Sequence, residues 1–462
     1  MATRLPAPGS PLSGIGHGLT RREILSLVGK GALATLLVDP KSFGAALKTP
    51  SEPRQSSPLD WQLSDADLLE EIISSGFRYF WNEASPRTGL VRDRALADGG
   101  ADPRRVASIA ATGFGLAALC IGHQRRYVPS KEIYARVIAT LSFLVNHTEQ
   151  VNGFFYHFID METGRRSHRS EVSPIDTTIL LCGVLTAREY FQHPEIDQLA
   201  STIYRRVNWH WMLNGGKTFA MGWTPESQFS TYRWDTYSEL MMMYLLAIGA
   251  PLYNISPASW DALARPVKEF AGYTYISGDD PLFVHQYSQA FFDFRGCRDR
   301  YADYFANSAV ATSAHKIYCV SLRGRFPDYG EHSWGITASD SSSGYRVWGG
   351  PPELDQPDGT LVPCAAAGSI PFLPQDTLSC LKNLYLRFGL RAWKRYGFVN
   401  AFNPLTGWTD PDAIGICTGI SMVMAENHRS GLVWRSFMGN PEAQKAMRLV
   451  GFQPSAQTVE TA

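Results

Sequence analysis

Apolar residues recur at helical spacing in one segment after another of this chain, and that rhythm confines it to a helical architecture. "DADLLEEIISSGFRYFWNEA", "RVASIAATGFGLAALCIGHQRR", "KEIYARVIATLSFLVNH", "PIDTTILLCGVLTAREYF" and "QLASTIYRRVNWHWML" carry it in the first half. "TYSELMMMYLLAIG", "PASWDALARPVKEFAGY", "RYADYFANSAVATSAHKIYC", "PQDTLSCLKNLYLRFG" and "ISMVMAENHRSGLVWRSFM" carry it in the second. They predict about ten to twelve helices, joined by loops rich in Gly, Trp and Asp. Strand candidates are confined to short stretches near "GFFYHFID" and "TFAMGW". Helices alternating with long loops over about 400 residues predict an all-α (α/α)6 barrel, a toroid of paired concentric helices. An irregular helical solenoid fits the same periodicity. With no internal repeat, residues 61–453 are expected to form one domain and residues 454–462 a tail.

The N-terminus reads as a targeting segment. Arg21 and Arg22 precede an apolar stretch from Ile24 to Val38, and small residues follow in "SFGAA". Residues 1–46 look like a twin-arginine export signal, which predicts a periplasmic or extracellular protein. Residues 47–60 are a polar Pro/Ser linker. No run of about eighteen apolar residues exists, so no stable membrane span is expected.

Lys+Arg and Asp+Glu both total 43. With zero net charge and no basic run interleaved with aromatics, a nucleic-acid partner is not expected. The seven cysteines form no C-x-x-C pair and no Cys/His ligand spacing, so no metal is predicted. Cys120, Cys182 and Cys319 lie in apolar helical stretches and read as buried thiols. The chain also holds 12 Trp and 20 Tyr, a supply that suits stacking on the apolar faces of sugar rings as well as a core. A monomer or small homo-oligomer is expected.

Carboxylates recur beside those aromatics in the loops. "RWDTYSELMMMYLLAIGAP", residues 233–251, reads as one oily helix ending at a proline, yet it embeds Glu239. A buried carboxylate has a raised pKa unless it is paired, which suits a general acid. Asp235 reads as that helix's own cap. "HRSEVSPIDTT" offers Arg169, Glu171 and Asp176. Ser173, Pro174 and Asp176 are also an ordinary helix start. "GFFYHFIDMETG" offers Tyr156 and His157. "GEHSWGITASDSSSGYRVWGG" offers Glu331, Trp334, Asp340, Tyr345 and Trp348. Glu426 reads as either a cleft residue or the partner of Arg429 three positions on. Glycosidic hydrolysis needs one carboxylic acid on the leaving oxygen and a second carboxylate for water or direct attack. Glu239, Glu171, Asp176 and Asp340 are therefore the catalytic candidates. Tyr156, Trp234, Tyr237, Trp334, Tyr345 and Trp348 are candidate stacking residues. His157, Arg169, Glu331 and Glu426 are candidate polar contacts to the sugar.

"TGLVRDR", "SEVSPIDTTILLCGVLTAREYF", "MGWTPESQF", "YSELMMMYLLAIGAP", "WGITASDSSSGY", "DGTLVPCAAAGSIPFLP" and "ENHRSGLVW" occur in the order found in the bacterial glucoamylase-like domain family. From about residue 65 to 450 the chain resembles that family, including the β-1,2-glucanases of glycoside hydrolase family 144 and the domain embedded in cyclic β-1,2-glucan synthases. The resemblance implies an (α/α)6 barrel with an acidic cleft for β-1,2-glucan, no cofactor, and a glutamate acid at Glu239. Glu171 matches another acidic cleft position. One departure stands out: Cys417, in "GICTGISMVMAENHRSG", occupies a position where the family commonly has Asp. A thiol does not replace a carboxylate as a base at neutral pH without strong perturbation. The expectation is an exported hydrolase of β-1,2-glucan or related β-glucosides. The alternatives are a β-1,2-glucan transglycosylase and a non-catalytic glucan-binding protein.

Overall fold

A computed structural model describes residues 63–278, 281–351 and 355–455. The expected export segment and linker lie outside the described residues, as does most of the tail. Helices dominate, and the long ones fall where the periodicity places them. They are α1 (Asp65–Asn82), α2 (Ile109–Arg125), α3 (Ser130–Asn146), α4 (Pro174–Phe191) and α5 (Pro194–Arg205), followed by the short α6 (Trp209–Leu213). Next come α7 (Met241–Gly249), α8 (Ala258–Asp261), α9 (Tyr287–Phe291) and α10 (Tyr304–Ser321). The chain ends with α11 (Pro363–Ala367), α12 (Pro374–Phe388), α13 (Gly415–Arg429), α14 (Leu432–Met438) and α15 (Pro441–Leu449). Local chemistry sets the starts. Ser64 and Asp67 form a reciprocal capping box on α1, and Ser173 caps α4 with Pro174 in its first turn.

Small residues let the central helices approach closely. α2 and α4 pack at Gly113 and Gly183, where a Cβ on Gly183 would lie 1.9 Å from the Gly113 carbonyl oxygen. α13 returns from the far end of the sequence to pack on α1 and α2, with Gly76 against Met422 and Gly419 against the Phe114 ring. α14 packs on α4, and α7 on α15. Strands occur as two-stranded antiparallel pairs in the loops. Arg94–Leu96 pairs with Asp412–Ile414, and Val106–Ser108 with Phe158–Asp160, and these pairs anchor the loops that feed the site. Among the described residues no helix is long and apolar enough to cross a membrane.

Two expected helices are shorter than predicted. Residues 233–251 do not form one helix: Arg233–Trp234 is a strand against Phe219–Ala220, and α7 begins only at Met241. The reason is tertiary, since distant backbone holds residues 235–237 and the chain turns at 237–240 before α7 starts. Ala264 N donates to Asp235 O, and Tyr237 N donates to Ala264 O. Asp235 therefore does not cap α7, whose first turn has no side-chain cap. In "PASWDALARPVKEFAGY" only α8 is helical. Pro266 follows it, and Val267–Phe270 turns back on Tyr273–Ile276 as a hairpin through Ala271 and Gly272, both at positive φ.

Candidate active site

Helix beginnings converge where the acidic loops meet. Asp176 lies in the first turn of α4, Glu239 sits just ahead of α7, and Cys417 lies in the first turn of α13. The N-terminus of α2 donates from Ile109 N to the His157 carbonyl. Helix N-termini favour negative charge, so this junction suits a group of carboxylates. Two ion clusters occupy it.

The first is built on His157. Its Nδ1 lies 3.1 Å from Glu171 Oε1, and its Nε2 lies 3.7 Å from Asp176 Oδ1. The ring stacks on Phe158 at 3.8 Å between centroids. Burial alone would lower the imidazole pKa, but Asp176 first and then Glu171 hold it up at about 9. The carboxylates divide. Burial raises Asp176, with the nearby His157 charge only partly offsetting it. Burial would raise Glu171 too, but the charge and hydrogen bond of His157 bring it below its usual value. Ser173 Oγ accepts from Asp176 N and also donates to its Oδ2 at 2.5 Å, so Asp176 both caps a helix and faces the site. Among the described residues these three form a group with metal-ligand donors, all within 4.8 Å of one another. Because both ring nitrogens already face carboxylates, the imidazolium is itself the cation of the group.

The second cluster is built on Arg94. It holds Asp340 at 2.7 Å and Asp93 at 3.2 Å, and it reaches Asp412 at 3.8 Å. Arg104 clamps the other side of Asp412 at 2.6 Å. Asp340 is therefore committed to an arginine. Asp93 links the two clusters, since it pairs with Arg94 and favours the charged His157 ring, while Tyr345 lies within electrostatic reach of Asp340 and Arg94 and also of Cys417 and Glu239. Tyr287 likewise feels Cys417, Cys364, Tyr345 and Glu239. Glu239 is 5% exposed, and its carbonyl accepts a hydrogen bond from Ser288 Oγ at 2.6 Å. Contact with the Cys364 thiol and burial push Cys417 well above the usual thiol range, so it is a neutral thiol at neutral pH.

The remaining candidates separate by burial. Trp334 and Trp348 are core residues at 0% and 2% exposure, and Tyr237 is buried with its hydroxyl 3.0 Å from His285 Nδ1. Trp234 is buried too. These rings serve packing rather than an open stacking face. Tyr156 is buried under the Arg166 guanidinium, 5.0 Å from its centroid. Tyr345 stays half-exposed. Arg169 projects to solvent near Glu226. Glu331 pairs with Lys316 at 3.0 Å with its own side chain largely exposed. Glu426 does not pair with Arg429. Its side chain is 1% exposed and bound to Arg125 at 2.5 Å, while Arg429 binds Glu70. Glu426 is nine residues beyond Cys417 on α13, about 13 Å along the axis, at the other end of the helix.

Trp223 is a residue that sequence reasoning missed. It is half-exposed, pairs through its backbone with Val172, and lies beside Glu171. Gly222 makes that approach possible, because a Cβ there would stand 2.9 Å from Glu171 Cγ. The "MGWTPESQF" motif contained it, but nothing local tied it to "SEVSPID".

The chain is similar in sequence and fold to known proteins. The family described as "Glycoamylase: Putative glucoamylase" matches residues 231–441. A curated relative from Parabacteroides distasonis, an exo β-1,2-glucooligosaccharide sophorohydrolase acting at the non-reducing end, is 29% identical over 448 residues. The match takes in 88% of this chain, which spans only 60% of that relative's length. The crystal structure of a "putative glucoamylase" from Bacteroides uniformis is 30% identical, with TM-score 0.78, over 85% of this chain and 98% of that one. An endo-β-1,2-glucanase from Chitinophaga pinensis, solved with sophorotriose and glucose, is 28% identical, with TM-score 0.77, over 85% and 99%.

Proposed function

The chain belongs to the glucoamylase-like family, and from that premise we propose that it is a glycoside hydrolase of β-1,2-linked glucooligosaccharides. The observation that carries the reading is the pairing of Glu171 and Asp176 around His157, together with the buried carboxylate of Glu239 just ahead of α7. The β-1,2-glucan activities of the Parabacteroides and Chitinophaga relatives support the linkage. The fold it adopts is an (α/α)6 barrel, a reading supported by the return of α13 onto α1 and α2. The paired Arg21 and Arg22 ahead of an apolar stretch support export.

Glu239 acts as the general acid, protonating the leaving oxygen. The second carboxylate comes from Glu171 and Asp176, because Arg94 neutralises Asp340 and the Cys417 thiol stays protonated. Trp223 and Tyr345 face the sugar from the rim. The neutral thiol also favours a second reading, transfer to a sugar hydroxyl in place of hydrolysis.

Incubation with linear β-1,2-glucan tests the proposal, alongside β-1,3-, β-1,4- and α-1,4-glucans. New reducing ends from the β-1,2 polymer alone are expected. Longer or cyclic products without new reducing ends mean transfer, and no change on any glucan sinks the reading. Glu239→Gln is expected to lower kcat by about 10²- to 10⁴-fold while glucan binding persists. Full activity in that variant would falsify the acid assignment.

A further inference from the structure

Two carboxylates this close do not both ionise unless a cation stands between them. Glu171, Asp176 and His157 present their polar atoms within 4.8 Å of one another, and each ring nitrogen faces a different carboxylate. We propose that His157 is a positioning residue: as an imidazolium it spans Glu171 and Asp176, holding both carboxylates charged and in register for the substrate.

Every element around the ring fits this role. Glu171 approaches from the loop before α4, Asp176 from the first turn of α4, and Asp93 from the loop after α1, and all three favour the charged ring. Arg166, on the loop after Phe158–Asp160, adds positive charge near Glu171. Ser173 fixes the second Asp176 oxygen. Phe158 covers one ring face, and the backbone is anchored on both sides: His157 N donates to Glu171 O, and Ile109 N donates to His157 O. The ring cannot swing out to a sugar hydroxyl without giving up two charged partners. His157 thus acts through the carboxylates and does not touch substrate itself. Without its charge, Glu171 and Asp176 would share a proton, and one of them would become neutral near the working pH.

The catalytic consequence rests on the hydrolase reading, whereas the charge state does not. The full chain, labelled with ¹⁵N at its histidine rings, is titrated by NMR from pH 5 to 10, with the His157 signal assigned by its loss in His157→Gln. The expected result is an imidazolium pattern that persists at pH 7.5 and titrates near 9. In Glu171→Gln and in Asp176→Asn the same signal titrates at lower pH. A neutral His157 ring at pH 7 in the wild type overturns the proposal, as does Zn²⁺ displacing the ring proton at that pH. In parallel, the acid limb of kcat/KM on β-1,2-glucan is expected to move up by about one pH unit in His157→Gln, with KM little changed. A loss of equal size at every pH means a merely structural histidine and overturns the role. If the wild type cleaves no β-1,2-glucan, the function fails, and the NMR titration alone still decides whether His157 is the clamp.

Discussion

At the scale of single residues, charge pairing separates the groups available for chemistry from those consumed by structure. Arg125 and Glu426 bury their charges against each other, so removing Arg125 leaves the buried Glu426 without a cation, whereas Arg125 keeps a second partner in Glu70. Arg125→Ala is expected to cost about 3–5 kcal/mol in chemical denaturation. Glu426→Gln should lower the melting temperature yet leave kcat near wild type, since its carboxylate lies at the far end of α13. His157 gives a pH signature of its own. Its folded pKa of about 9 lies above the ordinary value of 6.5, so its stabilisation is complete below 6.5 and is lost as pH rises through 9. Thermal melts from pH 6.5 to 10 should show a decline that His157→Gln flattens. Because the triad carries its own cation, EDTA is expected to leave both the melting temperature and activity unchanged. Little of this was legible beforehand. Residue type marks Glu171, Asp176 and Glu239 as candidates, but the partners of His157 lie 14 and 19 positions on, across a loop, and the arginine partner of Glu426 lies 301 residues back. Pairing over such separations is a property of the fold, and no local spacing encodes it.

At the scale of elements, periodicity was informative wherever a helix had its own cap and one buried face. Ser64 caps α1 at the boundary the pattern suggests, and Asp303 caps α10 four residues into the periodic stretch. It failed where distant backbone took over. The run into α7 is apolar on every side, so nothing in it distinguishes the extended stretch paired with Ala264 from the helix that follows. The hairpin of Val267–Ile276 was hidden for a different reason: its turn is Ala271-Gly272 rather than Asn-Gly. Ala271 sits at φ +48, which an L residue with a Cβ adopts at a cost of about 1–2 kcal/mol. Ala271→Gly or Ala271→Asn is therefore expected to raise the melting temperature, and a fall in both variants would contradict the turn. Gly183→Ala tests the opposite case. Its Cβ would collide with backbone, which cannot rotate away, so a loss of about 1–3 kcal/mol is expected in denaturant titration.

At the scale of the whole molecule, the site sits at a meeting of chain segments drawn from residue 93 to residue 417. The helical character could be read from the sequence, although fifteen α-helices among the described residues exceed the ten to twelve expected, because short helices sit in the loops; which helices neighbour one another could not be read. The pairing of α13 with α1 joins the two ends of the molecule through Gly76 and Met422, and Arg94–Leu96 finds its strand partner at Asp412–Ile414. Seen from the ribosome, this closure sets a timetable. α1 emerges more than 300 residues before α13, which packs on it. α2 covers one side of it early, at Phe77 and Phe80, but until α13 arrives the side that meets Met422 has no native lid, and a nascent chain halted before α13 is a natural client for a holding chaperone.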